Sequence, residues 1–198
     1  LNNGVLKIII SRANSARGYA FDDSLNARVT AFYSPSQTFA SQYYDEGINV
    51  QLCETQCSIN AQLAGLKHLN RLENVLAKNE LNKSCFEGLM SNHLGFVIEG
   101  GQSNVFFEDE SGLLTPDLSL SGVEGIMRAG IVQYCEKNNI NIQIKNILTS
   151  DINQYYHAFM SNSLFGILPI KTMNGSSMGI GKLTRTLMQA VSSGKIYE

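Results

Sequence analysis

The stretch that decides the fold reads GLKHLNRLENVLA and occupies residues 65–77. Leucines recur at helical spacing through this stretch and its flanks, so residues 63–79 are predicted to form an amphipathic helix or a turn leading into one. The polar stripe of that helix would carry Lys67, Arg71, Asn74 and Lys78. A stripe of this kind is by itself typical of a solvated helix face.

The rest of the chain is predicted to contain groups of strands with helices between them. Strands are predicted at residues 5–12, 27–34, 47–54, 88–91, 95–99, 104–108, 113–115, 141–147, 157–161 and 167–173. Helices are predicted at residues 123–137 and from 182 to about 191, with a short helix after the capping residues 149–151. Because strands and helices do not alternate regularly, the pattern favours an α+β fold. A turn-like stretch at residues 34–37 (SPSQ) is a candidate domain junction.

Composition and charge exclude several classes of protein. The net charge of −2 at pH 7 leaves no basic surplus for a nucleic acid or an acidic membrane surface. No apolar run reaches the roughly 18 residues of a membrane-spanning helix, and residues 1–10 do not have the pattern of a signal peptide. Neither the dinucleotide-binding glycine motif nor the P-loop motif is present. The four cysteines lack zinc-binding spacing, so we expect reduced thiols in a cytosolic protein that holds no metal.

A second segment of chemical interest reads FVIEGGQSNVFF at residues 96–107. Glu99 ends one apolar run, and two glycines separate it from Asn104 and a second apolar run, which predicts a hairpin. A lone glutamate at a strand end is usually exposed to solvent. The pattern alone therefore does not assign a role to Glu99.

Two further segments could bind an anion. Residues 121–128 (SGVEGIMR) open a predicted helix, and the free main-chain N–H groups at a helix N-terminus attract negative charge. Gly125 would let a phosphate approach the main chain closely. In residues 160–164 (MSNSL), the amide of Asn162 and the hydroxyl of Ser163 can donate hydrogen bonds to phosphate oxygens. A polar turn between two strands is the alternative for that segment.

In their order and spacing, these four segments resemble those of class IV pyridoxal-phosphate (PLP) enzymes, and most of all those of the aminodeoxychorismate lyases. The resemblance implies that Lys67 bonds covalently to PLP and that Glu99 pairs with the pyridine nitrogen of the cofactor. The further cofactor-binding residues that it implies are Asn104, Gly125, Ile126, Met127, Asn162 and Ser163. Many aminotransferases of the class have threonine in place of Met127, so a main-chain contact is expected there. Asn104 has a structural turn role as its alternative.

The resemblance also implies two substrate contacts in the loop between the first two strands. Arg17 and Tyr19 lie in that loop, which faces the active site in the family. A substrate with two carboxylates needs a guanidinium nearby, because an arginine can bind a carboxylate with two parallel hydrogen bonds.

A fold and a reaction follow from the same resemblance. The fold would be that of a fold type IV PLP enzyme, with residues 1–35 as the end of a small N-terminal α/β domain. Residues 36–198 would be the larger PLP-binding domain, built of mostly antiparallel strands with helices. The reaction would convert 4-amino-4-deoxychorismate to 4-aminobenzoate and pyruvate, a step of folate biosynthesis, in a homodimer.

Two alternatives stay open. A class IV aminotransferase acting on branched-chain or D-amino acids would share every PLP contact, although residues 68–72 (HLNRL) favour the lyase. A non-catalytic homologue would bind no cofactor. The family also has an arginine on the PLP phosphate and, in the lyases, a threonine proposed as the acid, and neither can be placed on this sequence. Because the chain starts at Leu1 without Met and almost directly in a predicted strand, we expect the natural protein to extend further towards its N-terminus.

Overall fold

A computed structural model of the chain describes residues 4–15 and 17–197. The chain divides into two compact units, Leu1–Phe39 and Ala40–Glu198. Each unit is described here by itself. The assignment of residues 1–35 to the end of a small domain stays a prediction.

The first unit is built around a β-hairpin. Strands β1 (Gly4–Arg12) and β2 (Ala27–Pro35) pair in antiparallel register, with Leu6 opposite Tyr33 and Ile10 opposite Val29. Side chains alternate between the two faces of a strand, so these four apolar side chains share one face of the hairpin. All four are more than half exposed. Both strands lie where the sequence predicts them.

The second unit combines a large sheet with helices. Its helices are α1 (Ser41–Asp45), α2 (Leu72–Asn79), α3 (Ile126–Lys137) and α4 (Lys182–Ser192), with short 3₁₀ helices at Thr149–Gln154 and Lys195–Tyr197. Its strands are β3 (Ile48–Leu52), β4 (Glu87–Ser91), β5 (Val97–Gly100), β6 (Asn104–Asp109), β7 (Gly112–Pro116), β8 (Ile142–Lys145), β9 (His157–Asn162), β10 (Gly166–Met173) and β11 (Ser176–Ser177).

Within the described residues, these strands form one nine-stranded mixed sheet in the order β5-β4-β3-β10-β9-β6-β7-β8, with β11 paired to β10. The pairs β10–β3, β3–β4 and β7–β8 are parallel, and the other pairs are antiparallel. The mixture of antiparallel hairpins with a few helices confirms the predicted α+β class. Every helix in the described part of the chain is too short or too polar to span a bilayer.

Helices α3 and α4 pack on the sheet and form the main apolar core. Phe106 on β6 and Phe159 on β9 stack with their ring centroids 4.8 Å apart. Met127 and Ile131 on α3 and Leu187 on α4 pack in the same buried cluster. Burial of each such side chain contributes roughly 1.5–3 kcal/mol, so this cluster holds both helices to the sheet at fixed positions.

Of the two arrangements predicted for residues 63–79, the structure shows the turn leading into a helix, because the helix begins only at Leu72. Gly65 has a φ of 79°, a left-handed conformation that interrupts helical geometry. It forms an isolated parallel bridge with Val123, in which its N–H donates to the carbonyl of Gly122 at 3.0 Å. Residues 66–71, which include Lys67, therefore run as a non-helical loop.

The second long helix also begins later than predicted, at Ile126 and not at residue 123. The backbone of Gly125 is extended, with a ψ of 141°, and Val123 is held by the bridge to Gly65. Residues 121–125 are therefore a loop that passes beside the Lys67 loop before α3 starts. The bridge between the two loops brings the first and third predicted segments together.

Candidate functional site

Lys67 lies in the loop between the Gly65 bridge and the start of α2. Its side chain is exposed, and no hydrogen bond or ion pair holds its amine among the described residues. Gly65, two residues before Lys67, bridges to Val123, and the N–H of Val123 donates to Oε2 of Glu99 at 2.7 Å. The positive charge of Lys67 acts to lower the pKa of Glu99. The structure therefore brings together the two residues expected to hold opposite ends of one ligand.

The loop that carries Lys67 is held by Arg71. Nη2 of Arg71 donates to the carbonyl oxygen of Leu66 at 2.7 Å, and Nε donates to the carbonyl oxygen of His68 at 3.1 Å. These carbonyls belong to the residues on either side of Lys67. Arg71 thus makes two main-chain hydrogen bonds that the helical pattern of the sequence did not indicate.

Glu99 is buried at the end of β5, with 3% of its surface exposed. Burial raises its pKa to about 7, although the N–H of Val123, which donates to Oε2 at 2.7 Å, acts in the opposite direction. With this pKa the carboxyl is close to half ionised at pH 7 even with the Val123 hydrogen bond, and a positively charged partner would favour its ionised form. A protonated ring nitrogen would be such a partner.

The turn after Glu99 is fixed from two sides. The buried carboxylate of Glu87 on β4 accepts hydrogen bonds from the N–H of Gln102 at 3.3 Å and the hydroxyl of Ser103 at 3.0 Å. From α2, the amide of Asn74 donates to the carbonyl of Gly101 at 3.1 Å. The turn between β5 and β6 is therefore held from both sides. The predicted hairpin is wrong, because β5 pairs with β4 whereas β6 pairs with β7 and β9.

Asn104 connects this turn to the start of α3. Its side-chain amide donates to the carbonyl of Val123 at 2.9 Å. A Cβ atom at position 125 would overlap Oδ1 of Asn104, so Gly125 is needed for this contact as well as for any approach of a phosphate. The structure thus gives Asn104 a supporting role between the second and third segments.

The start of α3 presents main-chain donors. No side chain caps the helix at Gly125, so the N–H groups of its first turn have no capping partner. The side chain of Ile126 is 75% exposed, whereas that of Met127 is 2% exposed and packs in the core. Met127 can therefore offer a ligand only its main chain, as the sequence predicts.

The loop between β9 and β10 uses Asn162 for its own structure. Oδ1 of Asn162 accepts hydrogen bonds from the N–H groups of Leu164 and Phe165, both at 2.9 Å, and its amide donates to the carbonyl of Gln102 at 3.2 Å. Its side chain thus bonds both its own turn and the turn between β5 and β6. The exposed hydroxyl of Ser163 has no hydrogen bond within the described part of the chain.

Ser161 is a candidate that the sequence did not single out. It is fully buried, and its hydroxyl has no partner among the described residues. It lies directly opposite Asn104 in the sheet, on the same face. An unpartnered buried hydroxyl costs about 1–3 kcal/mol, so a ligand that hydrogen-bonds to Ser161 would remove this cost. In the sequence, the one indication of its burial is that Ser161 lies two residues after Phe159 in a predicted strand, and therefore on the same face of that strand.

A cavity of about 470 Å³ reaches Glu99. Arg71 and His68 line it, and Nδ1 of His68 is buried without a partner among the described residues. The other lining residues are Ser58, Ile59, Asn60, Leu63, Ala64, Asn70, Leu72, Glu73, Leu76, Ser121 and Gly122. Lys67 is outside this lining, but its neighbours His68 and Arg71 line the cavity together with Glu99.

The donor set fits PLP. The free amine of Lys67 suits the aldehyde of that cofactor, and the buried carboxyl of Glu99 suits its ring nitrogen. The open first turn of α3 and the unpartnered hydroxyl of Ser161 suit its phosphate. Arg17 and Tyr19 lie exposed in the hairpin loop of the first unit. Their role as substrate contacts stays a prediction.

Comparison with known proteins agrees with this geometry. The family model for amino-transferase class IV matches residues 1–173. An aminodeoxychorismate lyase from Vibrio harveyi is 35% identical over 189 residues, which cover 92% of this chain and 69% of the relative. A D-alanine aminotransferase from Bacillus licheniformis is 24% identical over 200 residues, which cover 99% of this chain and 69% of the relative.

Among solved structures, the crystal structure of 4-amino-4-deoxychorismate lyase from Pseudomonas aeruginosa superposes with a TM-score of 0.92 at 33% sequence identity. The match covers 96% of this chain and 71% of that one. This similarity confirms the predicted fold type. The chain therefore belongs to the class IV aminotransferase family of PLP-dependent enzymes.

Proposed function

We propose that this chain acts as an aminodeoxychorismate lyase, which uses PLP to convert 4-amino-4-deoxychorismate to 4-aminobenzoate and pyruvate. The observation that carries this proposal is the identity of 35% to the Vibrio harveyi lyase, against 24% to the D-alanine aminotransferase over a similar length. The similarity to the solved Pseudomonas aeruginosa lyase supports the same choice. The product is a precursor of folate, so the reaction belongs to folate biosynthesis.

Each part of the cofactor has a proposed holder. Lys67 would hold the aldehyde carbon, and Glu99 would hold the ring nitrogen. The main-chain N–H groups of Ile126 and Met127 would hold the phosphate, together with the hydroxyl of Ser163. Asn104, Gly125 and Asn162 would support these phosphate-binding groups, since their contacts fix the start of α3 and the β9–β10 turn. We add the buried hydroxyl of Ser161 to the set.

Bound PLP supplies an electron sink for the negative charge that remains when the carbon bearing the substrate amine loses its proton. Lys67 is suited to accept that proton at Nζ, because no hydrogen bond or ion pair holds its amine among the described residues. Glu99 would keep a negative charge against the ring nitrogen. Loss of pyruvate makes the substrate ring aromatic, which drives the reaction forward.

A product assay distinguishes the lyase from its alternative. Incubation of the PLP-loaded protein with 4-amino-4-deoxychorismate should release equal amounts of 4-aminobenzoate and pyruvate. The D-alanine aminotransferase relative favours an aminotransferase as the second candidate. That activity would instead produce a new keto acid and a new amino acid from an amino-acid and keto-acid pair. Formation of those products without 4-aminobenzoate would contradict the lyase proposal.

We also propose a homodimer in the cytosol. The family resemblance supports the dimer, and the free state of Cys53, Cys57, Cys85 and Cys135 supports a reducing compartment. Light scattering of the purified protein should give twice the mass of the 21.8 kDa chain. A monomer mass in the presence of PLP would contradict the proposed assembly.

A further inference from the structure

The guanidinium of Arg71 binds the main chain on both sides of Lys67. Its two hydrogen bonds, to the carbonyls of Leu66 and His68, span the residue that would hold the cofactor. Residues 66–71 belong to no helix or strand, and the loop thus lacks the regular hydrogen bonds that fix a backbone elsewhere. The two bonds from Arg71 therefore supply a large part of the constraint on the direction in which Lys67 leaves the chain.

Only an arginine can make this arrangement fully. The guanidinium is planar and carries five N–H donors in a fixed fork, so it can bind two carbonyls and still have donors to spare. A lysine at this position would carry the same charge on a single flexible ammonium. A glutamine would keep two N–H donors but no charge.

Arg71 also brings positive charge to Glu99. Both residues line the same cavity, and Arg71 is the charged group that favours the ionised form of Glu99 most strongly. Lys67 acts in the same direction more weakly, whereas Glu73 on α2 opposes it. Cys57 also faces Glu99, but burial raises the pKa of its thiol so far that it carries no charge at neutral pH.

We propose that Arg71 is a positioning residue with two actions: it holds the main chain on both sides of Lys67, and it supplies positive charge that favours the ionised form of Glu99. The inference rests on the proposed function only in that Lys67 and Glu99 are taken as the residues that hold PLP. Both actions concern groups of this chain and can be measured before any cofactor is added.

The test compares the variants Arg71→Gln and Arg71→Lys with the wild-type chain and with Arg185→Gln. Arg185 lies exposed on α4, so its substitution is a matched control for the loss of one arginine charge. Carbon-13 NMR of labelled glutamate side chains follows the pKa of Glu99. Nitrogen-15 relaxation follows the order of the amides at residues 66–68. Both experiments are run on the full chain, followed by titration with PLP.

We expect Arg71→Gln to raise the pKa of Glu99 by at least about half a pH unit. In Arg185→Gln the pKa of Glu99 should equal that of the wild type. Arg71→Lys should keep the pKa of Glu99 near the wild-type value, because it retains the charge. Both Arg71 variants should lower the amide order parameters at residues 66–68 from about 0.85 towards about 0.6. PLP affinity should fall at least about tenfold in both.

An unchanged pKa of Glu99 in Arg71→Gln, or unchanged order at residues 66–68 in Arg71→Lys, would overturn the corresponding action. If Arg71→Gln fails to fold, Arg71→Lys still tests whether Arg71 holds the main chain at residues 66–68. Arg71→Met then provides a second uncharged variant in which the pKa of Glu99 can be measured. Failure of the wild-type chain to bind PLP would contradict the proposed function. The two actions of Arg71 would still be confirmed if the NMR changes occur.

Discussion

Glu99 shows how one buried side chain can serve a cofactor and weaken the free protein. Its carboxyl is buried and accepts a hydrogen bond from the N–H of Val123 at 2.7 Å, which leaves the second oxygen for a ligand. Even with the positive charges of Arg71 and Lys67 nearby, ionisation of this group opposes folding, because burial disfavours the charged form more strongly. The cost would disappear when a protonated ring nitrogen pairs with it.

The free energy of unfolding of the cofactor-free chain should therefore depend on pH through Glu99. Its pKa is about 7 in the folded chain against an ordinary value of 4.5, so the folded state binds the proton more tightly. The contribution of protonated Glu99 to the free energy of unfolding is fully present below pH 4.5. It is lost as the pH rises to 7 and above. The loss amounts to about 3 kcal/mol. Urea unfolding from pH 4 to 8 measures it, and Glu99→Gln should remove this dependence.

The exposed carboxylate of Glu110 provides the matched control, because Glu110→Gln should keep the pH dependence of the wild type. If Glu99→Gln and the wild type lose the same free energy between pH 4.5 and 7, the burial account of Glu99 is wrong.

Single residues of the site were predictable to different degrees. Lys67 and Glu99 were identified by resemblance, whereas periodicity alone placed Lys67 on a solvated helix. Arg71 and Ser161 were not identified, because their roles depend on contacts that the sequence does not display. The bonds of Arg71 exist only because residues 66–71 are not helical. The burial of Ser161 follows from the strand register that puts it opposite Asn104.

At the scale of elements, α4 depends on a side chain from a distant strand. Its N-cap position is Gly181, which has no side chain to cap the helix. The buried carboxylate of Glu108 on β6 accepts the N–H groups of Leu183 and Thr184, both at 2.9 Å, and the hydroxyl of Thr184 at 2.8 Å. A negative group at a helix N-terminus also interacts favourably with the helix dipole.

Glu108→Gln should therefore lower the free energy of unfolding by about 1–3 kcal/mol. A glutamine has only one acceptor oxygen, so its amide nitrogen would face N–H donors of the helix. Urea denaturation at pH 7 measures this change, with Glu110→Gln on the same hairpin as the control. Equal stability of the two variants would show that Glu108 does not cap α4.

The start of α3 makes a second prediction at this scale. Gly125→Ala would place a Cβ atom against Oδ1 of Asn104. We expect a loss of about 1–3 kcal/mol in the free energy of unfolding and PLP binding that is weaker by at least about tenfold. Fluorescence titration with PLP and urea denaturation measure the two effects. The double variant Asn104→Ala with Gly125→Ala lacks the Asn104 side chain that the new Cβ would overlap. Its free energy of unfolding should therefore be higher than that of Gly125→Ala alone.

Gly130→Ala in the same helix is the matched control. An added Cβ there meets the carbonyl oxygen of Ile196 at 3.4 Å, an ordinary contact, and alanine favours helix over glycine by up to about 1 kcal/mol. Similar behaviour of the Gly125 and Gly130 variants would contradict the tight contact between Asn104 and the start of α3.

Elements were predicted better than their ends. The hairpin of β1 and β2, the groups of strands and the positions of α3 and α4 follow the sequence pattern. Residues 63–71 form the predicted alternative, a turn that leads into α2, since Gly65 adopts a left-handed conformation and pairs with Val123. Such a bridge joins residues that are far apart in the chain, and local periodicity carries no information about it.

At the scale of the whole molecule, the two units differ in the support of their sheets. The first unit has a two-stranded sheet with an exposed apolar face, whereas the second has a nine-stranded sheet, as far as the described residues show, with a buried core. A two-stranded sheet alone is at best marginally stable in water. The amides of β1 and β2 should therefore exchange with solvent through low-energy openings.

Hydrogen exchange measured by mass spectrometry or NMR tests this difference. Amides of β6 and β9, whose strands pair beside the stacked Phe106 and Phe159, should exchange only through global unfolding. Those of β1 and β2 should exchange at least about 100-fold faster. Equal protection in both sheets would mean that the apolar face of the hairpin is covered in solution, for instance in a dimer.

A covalent bond between Lys67 and PLP is the feature on which the proposed activity depends most. The full chain is incubated with PLP, reduced with borohydride, digested and mapped by mass spectrometry. We expect the cofactor on the peptide that contains Lys67, and no labelling of that site in Lys67→Ala, with lyase activity lower by at least about 100-fold. The exposed Lys83 is the matched control, since Lys83→Ala should keep both label and activity. Cofactor found on another lysine, or on none, would contradict the assignment of Lys67 and the proposed function with it.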